Sequence, residues 1–311
     1  MKVSVCIRTF NNEQFVHDAI ESALAQKINA QVEIVIGDDA SADGTVRLLQ
    51  HFAKLHTDKI RIVTREQHVG LHRNLIETYA ACTGEYVAIL DGDDYWISTD
   101  KLLLQTDYLD RHPDVAICGH RWIRRHNPPD SRPDSVHGPR RKHIATLADF
   151  VRGYHLASGT LMIRKSVLRT IPAWLEEARL EDLVLEFLCL NTGHKMACLK
   201  PPMLVYRYHD QAQHSVLGPL RNLEAQAVTW EAIRKRIGVS FHRPIHRRLA
   251  GAYYRLSDLY AEASRMAESR AAFKRATVLG SFLDTVRHRL RHSLPGVYRG
   301  LRHLRERLSH Y

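Results

Sequence analysis

VSVCIRTFNNEQFVHDAIESALAQ, residues 3–26, carries two periodicities in succession. Val3 to Ile7 is a short β-branched run, and from Glu13 to Gln26 the residues Phe15, Val16, Ala19, Ile20, Ala23 and Leu24 share one face of a 3.6-residue repeat. A strand followed by a helix is the reading. The same order recurs in Val32 to Gly37 with Thr45 to Leu55, in Ile60 to Thr64 with Leu71 to Cys82, and in Tyr86 to Leu90 with Lys101 to Leu109. Such a succession of βα units predicts an α/β fold with a mainly parallel sheet flanked by helices. Ligands of such sheets bind beyond the carboxyl ends of the strands, so the residues just after each strand are the informative ones.

Those residues are acidic. Asp38 and Asp39 follow the second strand in EIVIGDDASADGT, and Asp91, Asp93 and Asp94 follow the fourth in YVAILDGDDYW. Asp and Gly also build turns and helix caps, and Ser41 or Asp43 is expected to do that for the second helix. A D-x-D triplet arises about once by chance in a chain with 19 aspartates among 311 residues, so its place at a strand end is what gives it meaning. Carboxylates converging on one sheet edge repel one another unless a cation lies between them, and hard oxygen donors suit Mg²⁺ or Mn²⁺ bridged to a diphosphate. No G-x-G-x-x-G follows the first strand and no G-x-x-x-x-G-K-[ST] occurs, which counts against dinucleotide oxidoreductases and P-loop kinases. Phosphate is then expected to be held by metal rather than by a glycine loop.

Length and charge divide the chain. Residues 1–220 carry 26 Lys and Arg against 27 Asp and Glu, whereas residues 221–311 carry 19 against 7, so the whole net charge of +11 is C-terminal. A neutral module followed by a basic docking element fits that partition better than a nucleic-acid-binding surface, and nucleic acid is not the expected partner. The expected division is 1–218 for the α/β domain and 219–311 for a basic helical extension. Within the latter, RRLAGAYYRLSDLYAEASRMAESRAAFKRATVLG, residues 247–280, resembles a single helical hairpin of tetratricopeptide type, with Ala250, Tyr253, Leu256 and Tyr260 on one helix and Ala271, Phe273 and Ala276 on the next. Leucines and valines three or four apart with arginines between them continue over 281–311, a basic amphipathic pattern expected to lie on an anionic membrane surface or to pack against protein. Five scattered cysteines without a C-x-x-C pair suggest neither a disulfide framework nor a zinc site. No apolar run approaches the ~20 residues of a membrane span and no signal-peptide pattern opens the chain, so a cytoplasmic protein, peripheral on the cytoplasmic face of a membrane, is expected.

The ordered segments 3–26, 33–45 and 84–96 together resemble the nucleotide-binding half of glycosyltransferase family 2, inverting enzymes of the Rossmann-like GT-A fold. LEDLVLEFL, residues 180–188, resembles the family's Glu-Asp catalytic segment, and VYRYHDQAQHS, residues 205–215, its Tyr-Arg-x-His loop, so the likeness runs over about residues 1–215. It implies that Thr9 and Asp39 line the pocket of the uracil or other base, with Asp39 accepting a hydrogen bond from a ring N–H, and that Asp93 is the first and Asp91, nearer the ribose, the second candidate ligand of Mn²⁺ or Mg²⁺, with Asp94 behind them. It further implies Asp182 as the base that takes the acceptor proton, Glu181 as the second candidate, His209 closing on diphosphate or metal, and acceptor contacts at Ser158, Gly159 and Thr160. Arg8 stands where members often carry proline, and it is expected to alter the loop near the base without touching a carboxylate. The Q-x-x-R-W signature of processive members is absent, which favours transfer of a single sugar from a nucleoside-diphosphate sugar, UDP-linked by preference, to a lipid-linked or polysaccharide acceptor.

Other readings of the same residues stay open. A sugar nucleotidyltransferase shares the sheet and the aspartates, and a catalytically silent sugar-nucleotide-binding scaffold would leave the helical hairpin as the working part. Glu181 and Asp182 also suit a first helical turn, where acid opposes the macrodipole. The pairs His68/His72, His242/His246 and His288/His292 are expected to be solvated helix faces rather than metal ligands. Residues 127–142, rich in Pro, Arg, Asp and Ser, read as a loop, after which HLASGTLMIRKSVL, residues 155–168, resumes as strand and then helix.

Overall fold

The computed structural model describes residues 2–126, 133–140, 142–210 and 213–280, together with Val286. It divides into two compact units, 1–216 and 217–311. The described residues of the first hold ten strands: β1 (Lys2–Thr9), β2 (Gln31–Asp38), β3 (Ile60–Val63), β4 (Tyr86–Asp91), β5 (Tyr95–Trp96), β6 (Val115–His126), β7 (Ser135–His137), β8 (Ile144–Ala145), β9 (Met162–Arg164) and β10 (Lys195–Tyr208). Between them run α1 (Val16–Leu24), α2 (Thr45–Leu55), α3 (Leu71–Ala81), α4 (Lys101–Arg111), α5 (Leu147–Arg152) and α6 (Glu181–Leu190).

One sheet contains all ten strands, in the order β3-β2-β1-β4-β9-β6-β10-β5 with β7 beside β6 and β8 beside β10. The long pairings, β1 with β2 and β4, β2 with β3 and β6 with β10, are parallel, while the short strands β5, β7, β8 and β9 pair antiparallel. The first four βα units thus form the expected α/β half. Its strands are buried on both faces, with Val3, Val5 and Ile7 of β1 and Ile34 and Ile36 of β2 on one and Cys6 and Val35 on the other, and α1 seals one face with Val16, Ala19, Ile20 and Ala23. Each fully buried Leu, Ile or Val side chain of that kind contributes about 1.5–3 kcal/mol relative to exposure. All five cysteines are buried free thiols.

Beyond β6 the sequence expectations need correction. Residues 135–137, expected in a loop, pair with Arg124, Ile123 and Trp122 of β6 as β7; residues 127–132 lie outside the described part. Ser158–Thr160 forms one 3-10 turn ahead of β9, and after β9 the chain turns at Lys165–Val167 rather than forming a helix.

The second unit is helical. α7 (Gln213–Arg234) breaks at Gly218 (φ 63), just before Pro219, and α8 (His242–Glu262) and α9 (Met266–Leu279) form the expected hairpin. Ala250, Tyr253 and Leu256 are buried in it and Tyr260 is half-buried, with its hydroxyl donating to Glu224 of α7. On α9 the inward residues are Ser269, Ala272 and Ala276, with Phe273 against Tyr254 at 5.8 Å between ring centroids, whereas Ala271 is exposed. The Ser269 hydroxyl donates to the Ser257 carbonyl at 2.8 Å, and this bond fixes a face one residue away from the one expected at Ala271. No described helix is long and apolar enough to cross a membrane. The tail over 281–311, Val286 apart, lies outside the described residues.

Candidate active site

The turn after β4 is built on close contact between neighbouring strand ends. Gly92 donates its N–H to the Arg8 carbonyl at 2.9 Å, and the Asp94 N–H returns to the Asp91 carbonyl at 3.1 Å. A Cβ on Gly92 would stand 2.8 Å from Thr9 Cβ and 3.0 Å from the Arg8 carbonyl oxygen, so only glycine lets Asp91 and Asp93 emerge from this edge. Gly92→Ala is therefore expected to lower stability by about 1–3 kcal/mol through overpacking, read as a lower urea midpoint at unchanged slope.

β5 leaves that turn and pairs with β10, Trp96 opposite Leu204 and Tyr95 opposite Val205, which brings the end of β10 back to the aspartates. Arg207 donates its backbone N–H to Asp94 Oδ1 at 2.9 Å and its Nη1–H to the Asp93 carbonyl at 3.1 Å. Its guanidinium lies 4.4 Å over the Tyr95 ring and pairs with Asp18. His209 then reaches Asp93, Nε2 to Oδ2 at 3.3 Å, with its ring 4.4 Å from that of Phe15. Asp94 is buried, and its Oδ2 has no hydrogen-bond partner among the described residues; burial first, then the charges of Asp93 and Asp91, push its carboxyl well up.

At the end of β1 the Thr9 hydroxyl donates to Asn12 Oδ1 at 2.9 Å, and the Thr9 carbonyl accepts from the Asp39 N–H at 3.1 Å. The buried Asp39 carboxylate accepts the N–H groups of Val69 at 2.7 Å and Gly70 at 2.9 Å, and His68 Nδ1 lies 3.0 Å from its Oδ2. Gly70 adopts φ +89 to present its N–H, a conformation glycine takes without strain. Asp39 thus pins the loop ahead of α3. Exposed Phe10 packs on His68 at 4.3 Å between ring centroids, forming an open aromatic face beside Thr9 and Asp39 that periodicity did not reveal. Asp43 accepts the Thr45 N–H at 2.9 Å, the turn role expected of it.

Glu181 and Asp182 open α6 as expected. The correction concerns Arg8. It is buried, and it touches two carboxylates: Nε lies 2.5 Å from Asp91 Oδ1 and Nη1 lies 2.5 Å from Glu181 Oε1, while Nη2 donates to Ser158 Oγ at 3.2 Å. The missed signal was an arginine inside an otherwise apolar central strand, where a charge persists only when paired. Burial opposes its charge, but Asp91 and Glu181 outweigh that and raise its pKa further. Burial pushes the Asp91 carboxyl up against the pull of Arg8. For Glu181 burial is outweighed by Arg8 and His72, and its carboxyl stays below the ordinary range. Asp182 goes the other way: burial first, then the charges of Glu181 and Glu186, push it up to about 7. Glu186, one turn on, is buried and accepts the Leu156 N–H at 2.6 Å, with His155 Nδ1 at 3.2 Å. Thr160 is fully buried and donates to the Ala157 carbonyl at 2.7 Å, so its hydroxyl serves the turn, while Gly159 donates no side chain and is packed against Leu204.

His68 and His72 are not a solvated helix face. His68 precedes α3 and meets Asp39, whereas His72 is 14% exposed with Nε2 3.6 Å from Glu181 Oε2. Among the described residues no three His, Cys, Asp or Glu side chains enclose a metal position. Asp93 and His209 instead supply a carboxylate and an imidazole side by side, and this fits a hard divalent ion that takes its remaining ligands from a diphosphate and water.

Comparison with known proteins extends this. The model of glycosyl transferase family 2 matches residues 4–171, more than half of the chain. An uncharacterized protein of Mycobacterium tuberculosis (strain H37Rv) is 30% identical over 217 residues, and the match spans 67% of this chain and 59% of the length of that relative. Abequosyltransferase RfbV of Salmonella typhimurium is 30% identical over 119 residues, 38% of this chain and 35% of that one. Staphylococcus aureus TarS 1–349 in complex with UDP has a TM-score of 0.57 at 15% identity, covering 91% of this chain and 93% of that chain. The mannosyltransferase PcManGT of Pyrobaculum calidifontis, in complex with GDP-Man and Mn²⁺, has a TM-score of 0.57 at 18% identity, covering 96% and 82%. At such identities the two structures speak for the fold.

Proposed function

We propose that this chain, which belongs to glycosyl transferase family 2 and has its GT-A fold, moves a single sugar with inversion from a nucleoside-diphosphate sugar to a lipid-linked or polysaccharide acceptor. The observation that carries the reading is that one guanidinium, Arg8, touches both Asp91 of the D-x-D turn and Glu181 of the Glu-Asp turn. Donor-side and acceptor-side carboxylates therefore lie one side chain apart. Thr9, Asp39 and the Phe10–His68 face suit the base and Asp91 the ribose. Asp93 and His209 would hold Mn²⁺ or Mg²⁺ at the diphosphate, and such an ion stabilises the charge that builds on the leaving phosphate oxygen.

In the reaction Asp182 accepts the proton of the acceptor hydroxyl. The acceptor oxygen bonds to the anomeric carbon as the bond from that carbon to phosphate oxygen breaks, and its electron pair leaves with the nucleoside diphosphate. A carboxyl poised near 7 suits that task, ionised in about half of the molecules at neutral pH and basic enough to take a proton. UDP in TarS and GDP-Man in the mannosyltransferase support a nucleotide-sugar donor, and the abequosyltransferase relative supports transfer of a sugar. The test is nucleotide release from a panel of UDP-, GDP- and dTDP-sugars with Mn²⁺. Release of nucleoside diphosphate is the expected result; pyrophosphate release from a nucleoside triphosphate and a sugar 1-phosphate in a parallel assay, with no nucleoside diphosphate from the panel, would establish a nucleotidyltransferase, and no release with intact nucleotide binding a silent scaffold.

The excess of basic residues in 221–311 supports a docking role on anionic lipid for the tail. Deleting residues 281–311 is expected to abolish co-sedimentation with anionic vesicles at low salt and leave nucleotide release unchanged. A drop in Tm with vesicle binding retained would show that the segment packs against protein instead.

A further inference from the structure

Each nitrogen of the Arg8 guanidinium faces a different element, through hydrogen bonds at Nε and Nη2 and an ion pair at Nη1. Nε meets Asp91 at the end of β4, Nη1 meets Glu181 in the first turn of α6, and Nη2 meets Ser158 in the turn before β9. The side chain is 5% exposed and Glu181 7%, so this is an interior tie and not a surface ion pair. Glu181 Oε2 faces His72 at 3.6 Å, but burial lowers the His72 pKa, so Arg8 is the cation that holds Glu181 at neutral pH. A lysine is a point charge on a flexible stem and cannot reproduce three divergent contacts.

We propose that Arg8 is a positioning residue that fixes the first turn of α6 to the Asp91 strand end, so that Asp182 meets the acceptor in a set register to the donor. The inference rests on the reading of Asp91 as donor-side and Asp182 as base. Glu181 is in this arrangement the handle by which Asp182 is held. It is kept ionised and occupied by Arg8, which leaves Asp182 as the only carboxyl of the pair available to take a proton. A base displaced by a fraction of an ångström loses rate while the diphosphate end of the donor site, where Asp93 and His209 hold each other, keeps its contact.

The test compares Arg8→Lys and Arg8→Met with the wild-type chain. Hydrogen exchange at residues 181–184 and 158–160 is expected to rise by about tenfold or more in both variants, with β2 and β3 unchanged. The kcat for nucleotide release is expected to fall by about 30-fold, while the Kd of UDP or GDP with Mn²⁺ stays within about threefold. Unchanged exchange in both variants would overturn the proposal. So would full kcat in Arg8→Lys, which would make Arg8 a simple charge, or a loss of nucleotide affinity as large as the loss of kcat, which would make it a donor contact. If Arg8→Met does not fold, Arg8→Lys alone decides, since it keeps the buried charge. If the wild-type chain turns over no donor, the transferase reading fails by itself, and the exchange arm still decides whether Arg8 holds the α6 turn.

Discussion

Asp182→Asn is expected to lower kcat by about 10²-fold or more while nucleoside-diphosphate affinity stays within about threefold. An amide fills the same space and can still accept the Leu183 N–H that Asp182 Oδ1 receives at 2.8 Å, but it cannot take the acceptor proton. The pH dependence adds a second reading. With the Asp182 carboxyl pushed up to about 7, the wild-type rate at limiting substrate should rise with pH through about 7 and level off above it, whereas the residual rate of the variant should lack that limb. Stability runs in the opposite sense. A carboxyl whose pKa is raised on folding binds its proton more tightly in the native state, so its contribution is present below the ordinary value of about 4 and is lost as pH rises through about 7. The Asn variant lacks that loss, so its Tm should exceed the wild-type Tm by more at about pH 8 than at about pH 5. A variant with near-normal turnover would remove Asp182 as the base and make Glu181→Gln the next variant to measure.

What the sequence made legible was the part governed by local period. β1 through α4 follow the alternation of β-branched runs and amphipathic helices, with α2 at the expected Thr45–Leu55, because each element there buries a face that its own residues define. The acidic turn after β4 was legible for the same reason, as the end of a strand. Arg8 was not, since its partners lie 83 and 173 positions away and come together only when β4 and α6 meet β1. Asp39 was expected at the base, but the bonds that its carboxylate accepts from the N–H groups of Val69 and Gly70 were not legible, since no spacing rule announces them. The shift from Ala271 to Ala272 on α9 shows a smaller limit, because small residues crowd both faces of that helix and hydrophobic period alone leaves the choice open.

Asp93→Ala is expected to weaken binding of nucleoside diphosphate in the presence of Mn²⁺ by about 10²-fold or more, and to leave metal-free binding unchanged. Loss of a group in the outer shell of a metal typically costs 10–100-fold in affinity, so loss of a direct ligand should reach the top of that range or pass it. The fold should survive. The Asp93 side chain is 27% exposed and its recorded partner is His209, while Arg207 bonds to the Asp93 backbone carbonyl, which alanine retains. Removing one carboxylate also relieves repulsion on Asp91 and on the buried Asp94, so Tm should hold or rise. Asp91→Asn separates the two aspartates, because Asp91 is engaged by the Arg8 guanidinium and an ion of double charge would be repelled there. Metal-dependent affinity should therefore fall far less in Asp91→Asn than in Asp93→Ala, and His209→Ala should lie between them. Calorimetry of UDP and GDP with and without Mn²⁺ gives the comparison. Equal losses at Asp91 and Asp93 would mean that both ligate the ion and that Arg8 must release Asp91 when the donor binds, whereas undiminished metal-dependent affinity in Asp93→Ala would move the ion away from the D-x-D turn altogether.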